Sequence, residues 1–192
     1  MWIKDGKKIF DTGFTHQDVT YPPGWIALAS DEERAAVGIS YRPDPARPDP
    51  RLGTVEEKED GSYTLTPYPL GQVIAQQIER IDARAEAIYR RWTRFEAEYR
   101  ARAAAAQAFK DAGYKGDPGI YVTSFATPTG ITLRAATDLI LSQALALQVA
   151  QDRLAGLRMR KYEVARLTAA EEALAVTDAI CAEMDTVERE ID

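Results

Sequence analysis

A long heptad pattern between residues 71 and 112 limits what this chain can fold into more than any other feature. These 42 residues contain no proline and no internal glycine. The pattern predicts one nearly continuous helix of about 63 Å, too long for a compact monomer, whose radius of gyration would be about 16 Å. Apolar side chains recur at alternating spacings of 4 and 3, typical of a coiled coil, at Ile74, Ile78, Ile81, Ala85, Ile88, Trp92, Phe95 and Tyr99.

The side chains along this seam predict self-association. Isoleucine stands at the first a and d positions, a choice that favours trimers or tetramers over dimers in parallel coiled coils. We therefore expect a homotrimer held by the eight seam residues. An alternative stays open, because the large rings of Trp92, Phe95 and Tyr99 would also fit against other helices of the same chain.

The remainder of the C-terminal part predicts two more helices and a short strand. Residues 120–125 (IYVTSF) favour a strand between two turns. A second helix is expected from about Thr132 to Arg166. A third is expected to begin at a capping box of Thr168 and Glu171, because this spacing lets each side chain satisfy a backbone N–H of the other.

The first 69 residues have a different character, and eight of the ten prolines lie between Pro22 and Pro69. Asp-Gly pairs at residues 5–6 and 60–61 predict two β-hairpins. Ser30 and Glu33 form a capping box before a short helix that should stop at Gly38. Residues 42–51 carry four prolines and predict an extended loop. The fold class is therefore α+β, with a small β-rich unit at 1–69 and long helices, as a coiled coil or bundle, at 70–192.

Between the hairpins, the segment YPPGW is a candidate docking element. Two fixed φ angles followed by glycine predict a stiff turn that presents its flanking aromatic rings. The docking candidates are Tyr21, Pro22, Pro23 and Trp25. The alternative is that Tyr21 and Trp25 complete a small core.

Charge is distributed unevenly along the chain, whose net charge is −6. Residues 71–167 are net basic and residues 168–192 are strongly acidic. These segments either attract each other across a bundle or form two solvated faces. The overall negative charge disfavours binding to nucleic acid, and Arg158, Arg160 and Lys161 are better explained by pairing with the acidic last helix.

Little in the sequence resembles a catalytic or metal site, so we expect no enzyme activity and no cofactor. With one cysteine, Cys181, and one histidine, His16, a Cys-based metal cage or a two-histidine site is excluded. There is no phosphate-binding loop or nucleophile elbow. Cys181 is interpreted as a packed helix residue and His16 as a surface or turn residue. No apolar run is long enough to span a bilayer, so we expect no membrane insertion.

Several segments resemble bacteriophage tail proteins of the tail-fibre or baseplate-associated kind. In the N-terminal part these are residues 21–29 (YPPGWIALA), 32–39 (EERAAVGI) and 60–67 (DGSYTLTP). In the C-terminal part they are residues 111–114 (DAGY), 131–136 (ITLRAA) and 157–164 (LRMRKYEV). These segments are spread over both halves of the chain and comprise 43 of its 192 residues. They imply no catalytic residue.

This resemblance implies a virion structural protein of the tail, a fibre or baseplate connector made in the host cytoplasm before assembly. Its expected partners are other tail or baseplate proteins and further copies of itself. The chain lacks the long β-rich or Gly-rich C-terminal region that a receptor-binding fibre tip needs. Two alternatives remain: a tail-fibre assembly chaperone absent from the mature virion, and a small enzyme.

Overall fold

A computed structural model describes residues 1–191 of the chain. It has small antiparallel strands in the N-terminal part followed by long helices, which confirms the α+β class. The chain divides into two compact units, Met1–Pro69 and Leu70–Asp192.

The N-terminal unit contains three small β-structures. The strands are β1 (Trp2–Lys4), β2 (Lys7–Ile9), β3 (Phe14–His16), β4 (Val19–Tyr21), β5 (Ile39–Tyr41), β6 (Gly53–Glu57) and β7 (Tyr63–Pro67). A three-stranded antiparallel sheet has the order β2-β1-β5, and two separate hairpins pair β3 with β4 and β6 with β7.

Local turn chemistry explains these hairpins. Asp5 and Gly6 have positive φ angles of 52° and 78°, as a type I′ turn requires, so the first predicted hairpin is confirmed. The second, β6–β7, is confirmed as well. The β3–β4 hairpin, which the sequence analysis did not predict, turns at Gln17 and Asp18, also at positive φ. Gly53 allows close strand contact, since a Cβ there would lie 2.2 Å from the Thr66 carbonyl oxygen.

Two short helices complete the N-terminal unit, α1 (Trp25–Leu28) and α2 (Asp31–Ala36). The predicted capping box begins α2, because Ser30 Oγ accepts from the Glu33 amide and Glu33 Oε2 accepts from the Ser30 amide. A small core contains Ile26, Val37 and Ile39. Residues 42–49 have no helix or strand, as the proline spacing predicts.

The helical unit consists of two bundles that share one long helix. Its helices are α3 (Leu70–Trp92), α4 (Glu96–Asp111), α5 (Gly119–Thr129), α6 (Leu133–Met159), α7 (Lys161–Val164) and α8 (Ala170–Arg189). In the first bundle, α3, α7, α8 and the C-terminal half of α6 surround one core. In the second bundle, α4, α5 and the N-terminal half of α6 surround another.

The prediction of one continuous helix over residues 71–112 is wrong, because the helix is interrupted at residues 93–95. Trp92 is the last α3 residue in the first core, whereas Ala106 of α4 belongs to the second. At the break, the Thr93 amide keeps its helical bond to the Tyr89 carbonyl at 2.8 Å, and the Thr93 hydroxyl donates to the same carbonyl at 2.9 Å. The chain is thus redirected without proline or glycine.

Three further expectations need correction. Residues 120–125 lie in helix α5, because Val122 and Ala126 fall on one helical face and pack in the second core. The expected second helix ends at Met159, and α7 follows after Arg160. The capping box at Thr168 does not form, since α8 begins at Ala170 with no side-chain cap.

Candidate functional site

The YPPGW turn is held in place by one carboxylate. Asp11 Oδ1 accepts from the Gly24 amide at 3.0 Å and from the Ile26 amide at 3.1 Å. Its Oδ2 accepts from the Ala27 amide at 3.0 Å. Asp11 therefore satisfies the free N–H groups at the start of α1, and it fixes the turn that leads into this helix.

Three aromatic rings pack together beside this turn. The rings of Phe14 and Tyr21 are stacked with centroids 4.8 Å apart. The Trp25 ring lies 4.6 Å from Tyr21 and 5.7 Å from Phe14. All three rings are partly buried against the small N-terminal core. Among the four docking candidates, Tyr21 and Trp25 thus contribute to a core, the alternative that the sequence left open.

The other two docking candidates are on the surface. Pro22 and Pro23 are exposed, and so are Ala27 and Leu28 at the end of α1. Leu28 is 89% exposed, more than any other large apolar side chain in residues 1–191. We call residues 21–28 the docking segment: its aromatic rings anchor it, and its two prolines and Leu28 face solvent.

The predicted seam residues have two different environments. Ile81, Ala85, Ile88 and Trp92 are buried in the first bundle, and Ile74 and Ile78 pack against that core. Other helices of the same chain therefore fill the seam at these positions. Phe95 and Tyr99 lie beyond the break and are 50% and 40% exposed. Self-association stays a prediction, but these six positions are not available to a second copy.

Ion pairs connect the helices of the first bundle. Arg80 pairs with Asp178, and Arg84 pairs with Asp185 and Glu188. Of the two alternatives for the uneven charge, attraction between the basic segment and the acidic last helix is therefore the one that the structure shows. Arg160 pairs with Glu183 of α8 at 2.8 Å, as expected for the basic cluster.

The other two members of the basic cluster have a partner that the sequence analysis missed. Arg158 and Lys161 both donate to the carboxylate of Asp82 on α3, each at 2.7 Å. Burial acts to raise the pKa of Asp82, but the hydrogen bonds from Lys161 and Arg158 outweigh it and leave the pKa lowered. No local sequence pattern indicates this triad, because Arg158 and Lys161 follow Asp82 by 76 and 79 residues.

The single cysteine packs in a core, and the single histidine lies beside a lysine side chain. Cys181 is buried in the first core, as interpreted from the sequence, and burial raises the pKa of its thiol. His16 Nδ1 lies 3.4 Å from Lys4 Nζ. Within residues 1–191 no three His, Cys, Asp or Glu side chains are grouped so that they could hold a metal ion. No helix in that range is long and apolar enough to cross a membrane.

Comparison with known proteins gives one informative similarity. The chain is 44% identical over 103 residues to the "Uncharacterized 23.3 kDa protein in lys 3'region" of Haemophilus phage HP1. The match covers 54% of this chain and 52% of the phage protein, so the chain spans about half the length of that curated relative. This similarity supports a bacteriophage origin. No protein-family profile matches the chain, and no solved structure matches it.

Proposed function

We propose that the chain is a non-catalytic structural protein of a phage tail, a fibre or baseplate connector that docks through the N-terminal unit. The docking segment carries this proposal, because a preformed turn presents exposed apolar groups. Similarity to a phage protein and the tail-like sequence segments agree with it.

The construction of the docking segment suits protein binding. Proline restricts φ in the free state, and Asp11 already orders the backbone that follows. Binding therefore costs little conformational entropy, since the segment is ordered before it meets its partner. The complementary partner is a tail protein with an apolar pocket that accepts Leu28 and the edge of the two prolines.

The charged groups of the helical unit support a structural role. Asp82, Arg84 and Arg160 are each engaged by opposite charges on a neighbouring helix. These groups therefore fix the packing of the helices, and no side chain carries out a chemical step in the proposed role.

The decisive experiment is quantitative mass spectrometry of purified particles from the phage or prophage that encodes the chain. We expect the chain at a fixed copy number per particle and antibody labelling at the tail. If it is abundant in lysates of producing cells but missing from particles, the connector role is wrong and the assembly chaperone is favoured.

A surface variant tests the docking segment itself. Leu28→Asp should abolish incorporation into particles, because an apolar pocket does not accept an unpaired carboxylate. Val19→Asp is the control, since Val19 is another exposed apolar residue of the same unit. Both variants should keep the wild-type circular dichroism. Equal incorporation of the two variants would contradict docking through residues 21–28.

A further inference from the structure

The middle of α6 presents an uncharged surface. No charged residue occurs from 139 to 151, whereas 28% of the whole chain is charged. One side of this stretch packs into the bundles through Ile140 and Leu147. The opposite side is exposed, and we call it the α6 face; it comprises Leu139, Ser142, Leu145, Ala146 and Val149.

The exposed area on the α6 face is apolar. Leu139, Leu145 and Val149 are 42%, 66% and 50% exposed. Ser142 and Ala146 lie between them and are small enough to let a second helix approach closely. Isolated exposed leucines are ordinary on protein surfaces, but an uncharged group of this kind marks a contact surface.

Four exposed charges flank the α6 face: Arg134 and Asp138 precede it, and Asp152 and Arg153 follow it. Asp138 pairs with Lys110, and Arg153 pairs with Glu190. The other two charges are Arg134 and Asp152. They are 18 residues apart, about five helical turns, so both lie along the same side of α6. Arg134 stacks over the Tyr114 ring, and Asp152 accepts a hydrogen bond from Gln148. Neither forms an ion pair with another of the residues 1–191.

We propose that the α6 face binds the α6 face of a second copy of this chain, with the two helices antiparallel. Antiparallel pairing about Gln143 brings Arg134 of each copy to Asp152 of the other. Parallel pairing would instead oppose arginine to arginine and aspartate to aspartate. The reciprocal ion pairs thus select one orientation, while the uncharged centre avoids repulsion between two copies that each carry a net charge of −6.

This contact has two-fold symmetry, and the same surface is used by both copies. It is separate from the proposed docking function, because it involves none of residues 21–28. It replaces the expected trimer with a dimer, since the first bundle already fills most of the heptad seam. The α6 face has five residues, whereas a standard interface has roughly 20–30 on each partner. The dimer should therefore be weak and dissociate on dilution to low micromolar concentration.

The test is sedimentation equilibrium of the full chain over a range of micromolar concentrations. The wild type should show a monomer–dimer equilibrium, and Leu145→Glu should weaken the dimer by at least about tenfold, since it buries an unpaired charge at the contact. Ile120→Glu is the matched control, because Ile120 is a highly exposed apolar residue on another helix. Circular dichroism should show that all variants keep their helix content.

Charge reversal tests the orientation. Arg134→Asp alone and Asp152→Arg alone should each weaken the dimer by about fivefold, while the double variant restores it because the pairs re-form with exchanged signs. A wild-type monomer at all concentrations, a trimer, or no effect of Leu145→Glu would overturn the proposal. Failure of the double variant to restore binding would overturn the antiparallel arrangement. None of these outcomes affects incorporation through Leu28, so the two proposals are tested separately.

Discussion

Single carboxylates position much of the local structure in this protein. In the N-terminal unit, the Asp11 side chain accepts hydrogen bonds from three backbone N–H groups. Such a carboxylate acts as a helix cap, although it lies 13 to 16 residues before the amides that it binds.

Replacing Asp11 with alanine should therefore loosen the docking segment. We expect a loss of about 1–2 kcal/mol and faster hydrogen exchange at the amides of Ile26 and Ala27. Thr12→Ala is the control, because Thr12 is an exposed neighbour. Hydrogen exchange followed by NMR provides the measurement. Unchanged protection at those two amides in Asp11→Ala would show that the carboxylate does not hold the turn.

Asp82 has the corresponding role in the helical unit, and its effect depends on pH. Its folded-state pKa is lowered by the hydrogen bonds from Lys161 and Arg158 against the opposing effect of burial. Its contribution is thus fully present above the unfolded-state pKa near 4 and is lost as pH falls through the folded-state value.

Asp82→Asn should therefore destabilise the protein by about 1 kcal/mol at pH 7, a figure that allows for solvent screening of this partly exposed site. The difference from the wild type should shrink below pH 4. Urea unfolding at pH 7 and pH 3 measures it. Glu86→Gln, which removes an exposed pair with Arg90, should change stability less. A constant difference at both pH values would contradict the assigned ionisation.

Residue roles were predictable from sequence when the partners are close along the chain. The Ser30–Glu33 box and the Asp5-Gly6 turn depend on four or fewer residues, so their spacing alone indicates the structure. The Asp11 clamp and the Asp82 triad depend on partners that only the folded chain brings together, and no spacing rule reveals them.

For the secondary-structure elements too, the sequence predicts features that depend on local residues and misses those that depend on long-range packing. The heptad pattern correctly indicated helices on both sides of Trp92, because amphipathic periodicity is a local signal. It did not reveal the break at residues 93–95, since packing into two separate cores causes it. In α5, β-branched and aromatic residues favour a strand, but packing of Val122 and Ala126 against α6 overrides that preference.

The two sides of α6 should respond differently to the same substitution. Leu154→Ala should cost about 2–5 kcal/mol, because it leaves a cavity in the first core, where Leu154 is fully buried. Leu145→Ala on the exposed side should change monomer stability by less than about 0.5 kcal/mol. Urea unfolding measures both losses, at a protein concentration too low for dimers to form. Similar losses for both variants would contradict the assigned burial.

For the whole chain, the two units differ in how much core each can form. The N-terminal unit has four buried apolar side chains, Ile3, Ile26, Val37 and Ile39, and half-buried aromatic rings pack beside them. Small domains bury a low fraction of their surface and are only marginally stable. The helical unit has two apolar cores and the ion pairs between α3 and α8. Most of the folding free energy should therefore come from residues 70–192.

Separate fragments test this expectation. Residues 70–192 alone should unfold cooperatively and keep the sensitivity to Leu154→Ala, because both cores lie within them. Residues 1–69 alone should melt at a lower temperature, and Asp11→Ala should unfold that fragment, since a loss of about 1–2 kcal/mol is a large share of a marginal stability. Circular dichroism melts of both fragments provide the measurement. If residues 70–192 fail to fold without residues 1–69, the two helical bundles are not self-sufficient, and the expectation that they supply most of the folding free energy is wrong.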